Sequence, residues 1–107
     1  MTPEGYRAWL VRAAEWGATY REGLRERPVR PAVRPGDIRH QLPTAPPEAP
    51  EEMTALFEDF ERIVVPGMTH WQHPRFFAYF PANAAPVSVV AEYLVTAMAA
   101  QGMLWQT

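Results

Sequence analysis

The chain has 107 residues, of which 48% are hydrophobic and 21% charged, and its formal net charge is -2. This length suits one small domain, and the composition is that of a folded chain. The net negative charge argues against nucleic-acid binding, which usually needs a basic patch. The chain has no cysteine, which excludes disulfides and thiolate metal ligands, and no secretory leader pattern, so we expect a cytoplasmic protein.

The first predicted element is a helix from about residue 3 to residue 26. Thr2 suits the cap, Pro3 the first turn and Glu4 the positive end of the helix dipole. Apolar and small residues then recur at helical spacing: Tyr6, Trp9, Leu10, Ala13, Gly17, Tyr20 and Leu24. Pro28 is expected to end the helix, because proline has no N–H and clashes with the preceding turn.

A proline-rich arm is predicted from residue 28 to residue 50. The seven prolines in this range exclude a helix or a central strand and favour an extended, polyproline-like backbone. The arm also carries four large apolar residues, namely Val29, Val33, Ile38 and Leu42. We therefore expect it to lie against a surface, which belongs either to this chain or to another.

A second helix is predicted from about residue 50 to residue 65. One apolar stripe marks its buried face: Met53, Leu56, Phe57, Phe60, Ile63 and Val64. Acidic residues occupy its start and its outer face, and Pro66-Gly67 is a typical stop signal.

The segment THWQHPRFFAYFP, residues 69 to 81, follows no helical or strand period. It holds five aromatic rings, two histidines and two prolines, and we expect it to form a loop over 68–85 with a short extended stretch from Phe76 to Phe80. Two interpretations stay open at this point. The rings either form a hydrophobic plug beneath the loop or provide a rigid wall for a flat ligand, to which Tyr79 adds a hydroxyl.

A third helix is predicted from about residue 86 to residue 105. It is apolar around almost its whole circumference, apart from a thin polar line formed by Ser88, Glu92 and Thr96. Such a helix lies in a core or crosses a membrane, and Glu92 together with the lack of basic flanks favours the core. The sequence therefore predicts an all-α fold of three helices and an arm. Too little chain is present to cover the third helix, so we expect a dimer or a larger protein.

No complete catalytic apparatus is recognisable in the residues alone. His70 and His73 are spaced i, i+3, but Pro74 makes a shared helical face doubtful and no acidic or thiolate ligand lies beside them, so we expect structural or substrate-shaping histidines and no metal. The single serine, Ser88, lies within the apolar helix. All ten basic residues are arginine, so this chain supplies no lysine amine for Schiff-base chemistry.

Two motifs carry a resemblance to a known family. They are P-G-M-T-H-W-Q-H-P-R-F-F-A-Y-F-P-A-N at 66–83 and Q-G-M-L-W-Q-T at 101–107. With the rest of the chain, they resemble the N-terminal segment of pyridoxal-phosphate-dependent group II decarboxylases, most of all the aromatic-L-amino-acid decarboxylase branch. The resemblance implies a helical flap on an α/β enzyme of the type I aminotransferase-like fold. It also implies an obligate homodimer, the cofactor pyridoxal 5'-phosphate and an aromatic L-amino acid as substrate.

In domain terms, the resemblance implies a helical dimerisation segment over 1–85, and an apolar helix over 86–107 that leads into a cofactor-binding domain. The family's cofactor lysine and other catalytic groups lie in that later domain, so we expect this chain to be an inactive fragment without catalytic, cofactor-binding or metal residues.

The resemblance also implies a set of substrate-binding residues: Trp71, Tyr79, Phe80, Pro81, Ala82, Gln101 and Met103. Gln101 and Met103 match positions that reach the partner's active site across the family dimer. Ala82 stands where animal members often have threonine, which removes a hydroxyl near the substrate ring and argues against a catechol preference. Two other interpretations stay open: a small helical dimerisation module that binds an aromatic or proline-rich partner, and a small-molecule binding protein without catalysis.

Overall fold

The computed structural model describes residues 1–80 and 84–103. The chain divides into two compact units, Met1–Phe76 and Phe77–Thr107. All regular secondary structure in the described residues is helical, which confirms the prediction of an α-helical segment.

The first helix, α1, spans Pro3–Glu22 and continues as a 3-10 turn over Gly23–Glu26. Its cap is the predicted one: the N–H of Gly5 donates to Oγ1 of Thr2 at 3.1 Å, which satisfies one of the free donors of the first turn. Both predicted ends of this helix are confirmed.

A second helical run spans residues 53–67. It consists of α2 (Met53–Asp59), a π-helical turn (Phe60–Val64) and a last turn, α3 (Val65–Gly67). The run starts at Met53 and not near residue 50, and it ends at Gly67, two residues beyond the predicted end at 65. Pro66 explains the π turn, because it has no N–H for the carbonyl of Arg62 and its ring would clash with that carbonyl in a regular α-helix.

Aromatic side chains join α1 to the second helical run. The ring centroids of Trp9 and Phe57 are 5.5 Å apart, and those of Trp16 and Phe60 are 4.8 Å apart in an edge-on arrangement. The guanidinium of Arg12 lies 4.9 Å from the centroid of Phe57 and adds a cation–π contact. Rings therefore supply much of the contact between these two elements.

The proline-rich arm packs on its own chain. It turns at Gly36, whose φ of 97° suits glycine, and the N–H of Arg34 donates to the carboxylate of Asp37 at 2.7 Å across this turn. Further along, Ile38 lies directly against Gly67, at the end of the second helical run. The expectation that the arm lies against a surface is confirmed, and the surface belongs to this chain.

Replacing Gly67 by alanine is expected to lower the free energy of unfolding by about 1–3 kcal/mol, because overpacking displaces its neighbour. A Cβ at this position would lie 2.8 Å from Cδ1 and 2.9 Å from Cγ1 of Ile38. Gly17→Ala is the matched control: nothing lies within 4 Å of its added Cβ, and a helical alanine should stabilise by about 0.5–1 kcal/mol. Urea unfolding of both variants measures the difference, and equal effects would contradict the proposed Ile38 contact.

The second unit contains one helix, α4, over Pro86–Ala97. The prediction that it extends to residue 105 was wrong, because the chain turns into the left-handed region at Ala99, whose φ is 48°. The N–H groups of Ala99 and Ala100 donate to the carbonyls of Thr96 and Val95, which closes the helix with a Schellman motif. In the part of the chain that the structure describes, no helix has both the length and the apolar character needed to cross a membrane.

Candidate functional site

The loop that carries Trp71 consists of two successive turns. The N–H of His73 donates to the carbonyl of His70, and the N–H of Phe76 donates to the carbonyl of His73, both at 2.9 Å. Trp71 is the second residue of the first turn, and its ring lies 4.9 Å from that of Phe76 at a tilt of 33°. Trp71 is 36% exposed, so this ring pair forms part of the surface of the first unit.

His70 fixes the start of this loop to the region after α1. Its imidazole Nδ1 shares a hydrogen bond of 2.8 Å with the hydroxyl of Tyr20, and its backbone N–H donates to the carbonyl of Val29 at 3.0 Å. The guanidinium of Arg27 lies over the Tyr20 ring, 5.0 Å from its centroid.

His73 fixes the other end of the first turn. Its Nδ1 accepts a hydrogen bond from the N–H of Arg75 at 2.9 Å, and its Nε2 lies 3.3 Å from the carbonyl oxygen of Arg25. Because a carbonyl can only accept, these partners assign the proton to Nε2 in a neutral imidazole. Both histidines therefore have structural partners, in agreement with the structural interpretation. The described residues contain no group of three or more side chains able to hold a metal ion.

Burial lowers the pKa of His70 below its ordinary value of 6.5, and the positive charge of Arg27 and the neighbouring His73 lower it further. The folded state therefore favours a neutral imidazole at this position.

Acidification is expected to destabilise the first unit through His70. As the pH falls, the imidazole of His70 binds a proton near pH 6.5 in the unfolded chain and only at lower pH in the folded chain. The contribution of His70 to the free energy of unfolding is therefore fully present above pH 6.5 and is lost as the pH falls through the lowered folded-state pKa. Urea unfolding between about pH 7.5 and 5.5 measures this slope, which lies in the range where histidine titrates. We expect His70→Gln to flatten the slope and the exposed His40→Gln to leave it unchanged; an unchanged slope in His70→Gln would contradict the assignment.

Three neighbouring rings of the second unit are strongly exposed. Phe77 is 90%, Tyr79 87% and Phe80 68% exposed. The predicted extended stretch was wrong, because residues 78–80 form a bend. Tyr79 has a φ of 58° in this bend, a left-handed backbone conformation that residues other than glycine and asparagine rarely adopt. The bend presents these rings at the surface of their unit.

The remaining predicted site residues follow α4 or are not described. Gln101 lies just after the helix, where its Nε2 donates to the carbonyl of Ala99 at 3.5 Å, and Met103 is 82% exposed. Pro81 and Ala82 lie outside the described residues. The structure thus places Trp71 beside Phe76 in one unit, and Tyr79 and Phe80 on one bend of the other.

Sequence reasoning missed the anchors of the loop. Tyr20 and the backbone carbonyls of Arg25 and Val29 bind the two histidines from positions far away in the chain. Pro74 was the residue from which this could have been predicted. A proline directly after His73 favours a turn there, and histidines at both ends of one turn are suited to hold it by hydrogen bonds.

Comparison with known proteins assigns this chain to a family. Residues 35–107 match the family described as "Pyridoxal-dependent decarboxylase conserved domain". The chain belongs to this family. It is 42% identical over 106 residues to the aromatic-L-amino-acid decarboxylase of Manduca sexta, a match that covers 98% of the chain and 21% of that relative.

Two further similarities widen the range of ring substrates among the relatives. The chain is 39% identical over 105 residues to the histidine decarboxylase of Homo sapiens, covering 98% of the chain and 16% of that protein. The crystal structure of Catharanthus roseus tryptophan decarboxylase in complex with L-tryptophan superposes with a TM-score of 0.88 at 31% identity, covering 98% of the chain and 23% of that structure. The chain thus spans about a fifth of the length of these relatives.

The family cofactor is pyridoxal phosphate, and this chain does not provide its attachment group. The sequence contains no lysine, and we assign none of the described residues to the cofactor. The described residues instead expose aromatic rings, with Trp71 on a turn of the first unit and Tyr79 and Phe80 on a bend of the second.

Proposed function

We propose that this chain is the N-terminal segment of a longer pyridoxal-phosphate-dependent decarboxylase, which removes the α-carboxylate of an aromatic L-amino acid. The observation that carries the proposal is the exposure of aromatic rings outside the helices, where they contribute little to a core of their own: Trp71 in the first unit, and Phe77, Tyr79 and Phe80 in the second. Family membership and the ring substrates named for its relatives support the same conclusion.

In this proposal the chain binds and orients the substrate ring. Trp71 and Phe80 provide flat apolar surfaces for stacking, and Tyr79 adds a hydroxyl that can donate a hydrogen bond. Pro81, Ala82, Gln101 and Met103 complete the proposed substrate-binding set. Pyridoxal phosphate, held by the rest of the longer protein, supplies the electron sink for the loss of carbon dioxide.

We further propose that the segment contributes to a homodimer. Most large apolar side chains of α4 are at least half exposed, namely Val87, Val89, Val90 and Leu94. An apolar surface of this kind is typical of a protein–protein contact. In this proposal, a twofold axis lets each copy cover the α4 of the other.

The test compares the longer protein with the 107-residue chain. We expect the longer protein, loaded with pyridoxal phosphate, to release carbon dioxide from L-tryptophan, L-tyrosine, L-phenylalanine or L-histidine but not from L-glutamate. We expect the 107-residue chain, with its α-amino group blocked, to release none and to form no covalent adduct with the cofactor, because it has no lysine amine. A longer protein that acts only on L-glutamate, or an active 107-residue chain, would refute the proposal.

A further inference from the structure

Trp71 lies on a turn that is closed by two buried histidines. His70 and His73 are only 5% and 4% exposed, whereas Trp71 between them is 36% exposed. The turn itself is closed by the hydrogen bond from the N–H of His73 to the carbonyl of His70. Because the indole is only partly buried, its position depends on the anchors at both ends of the turn.

The two hydrogen bonds of the His73 imidazole join it to partners at very different distances along the chain. The bond from the N–H of Arg75 to Nδ1 is local and has the i, i+2 geometry that an asparagine side chain makes in an Asx-turn. The bond from Nε2 to the carbonyl of Arg25 spans 48 positions and joins the loop to the 3-10 turn after α1. The first bond shapes the loop, and the second determines where the loop stands on the first unit.

We propose that His73 is a positioning residue: its Nε2–H bond to the carbonyl of Arg25 sets the placement of the Trp71 ring, and through it the fit of the substrate ring. The second half of this statement rests on the proposed function, whereas the placement of Trp71 does not. His70 holds the same turn from its other end through Tyr20, so the loss of the His73 tether should let the turn swing about His70 without releasing it.

Three variants separate the tether from the local turn. His73→Asn keeps an acceptor for the N–H of Arg75, since the asparagine oxygen can take the position of Nδ1, but it is too short to reach Arg25. His73→Gln has an amide nitrogen that can reach the position of Nε2, so it keeps the tether. His40→Asn makes the same chemical change at an exposed histidine of the arm and serves as the matched control.

The first measurement follows the indole N–H signals of the 107-residue chain by NMR, with Trp71→Phe to assign the signal of Trp71. We expect His73→Asn to shift the Trp71 signal and to leave those of Trp9 and Trp16 in place, and we expect His73→Gln and His40→Asn to match the wild type. An unmoved Trp71 signal in His73→Asn would overturn the proposal. A shift of the Trp9 and Trp16 signals together with that of Trp71 would also overturn it, because His73 would then support the whole unit.

The second measurement uses the longer holoenzyme and its best aromatic substrate. We expect His73→Asn to raise KM about tenfold and to change kcat less than about threefold, because a misplaced wall weakens substrate binding more than the chemical step. A loss confined to kcat would overturn the substrate half of the proposal. If the wild-type holoenzyme releases no carbon dioxide from any aromatic amino acid, the proposed function fails, and the indole signals still decide the placement of Trp71.

Discussion

Replacing Ile63 by alanine is expected to lower the free energy of unfolding of the first unit by about 2–5 kcal/mol, the range for large-to-small changes in a core. Ile63 is 1% exposed and Leu24 is 7% exposed, and they form the buried apolar core of the described residues. A cavity at Ile63 therefore removes a large share of the little apolar packing that this unit has. Since small domains have stabilities of about 5–15 kcal/mol, a unit at the lower end of this range would lose a large part of its stability through this one change.

Val64→Ala provides the matched control in the next residue of the same π turn. Val64 is 41% exposed, so its truncation should cost less than about 1 kcal/mol. Urea unfolding of both variants at one pH gives the two differences. A cost for Ile63→Ala no larger than that for Val64→Ala would show that the core lies elsewhere.

Local chemistry made the first unit largely predictable. Thr2 and Pro3 define the start of α1, and Pro66-Gly67 defines the end of the second helical run, because caps and proline act within one turn of the chain. Two of the predictions that failed concern residues that give no such local signal. Ala99 takes the left-handed conformation at the close of α4 although alanine gives no signal for it, and Tyr79 does the same within the predicted extended stretch.

The face of α1 was predicted less well than its ends. Trp16 is absent from the predicted apolar stripe, yet its ring lies against Phe60 and stacks on Tyr20 with centroids 5.2 Å apart. It stands seven residues after Trp9 and four before Tyr20, a spacing that places all three on one side of a helix. The sequence therefore contained this pattern, but the predicted stripe followed the small residues Ala13 and Gly17 on a neighbouring part of the helix surface.

The candidate site was predictable as a list of residues and not as an arrangement. The resemblance named Trp71, Tyr79 and Phe80, but the bond between Tyr20 and His70 joins positions 50 apart, and no periodicity connects them. Such long-range bonds arise when the arm and the loop pack on α1, so they depend on the tertiary structure. This explains why the sequence predicts structural or substrate-shaping roles for His70 and His73 but does not identify their partners.

Replacing Leu94 by aspartate is expected to abolish self-association of the 107-residue chain, and Val90→Asp should act in the same way. Leu94 and Val90 are 53% and 60% exposed on α4, within an apolar surface that we propose is covered by a second copy. Burial of this surface contributes on the order of 10 kcal/mol in gross terms, against an association cost of about 4–15 kcal/mol. If the association cost lies at the low end of this range, about 6 kcal/mol remains, which corresponds to a dissociation constant of tens of micromolar. We therefore expect a dimer at this concentration and its loss when one buried charge is added.

Thr96→Asp is the matched control, because Thr96 lies on the polar line of the same helix with Ser88 and Glu92. It adds the same charge to α4 at a position that the proposed partner does not need to cover. Sedimentation equilibrium should give twice the 12.2 kDa chain mass for the wild type and for Thr96→Asp, and the single mass for Leu94→Asp. A wild-type chain that stays at 12.2 kDa at tens of micromolar would show that α4 needs no second copy of this segment, and the apolar surface would then have to be covered by another part of the longer protein.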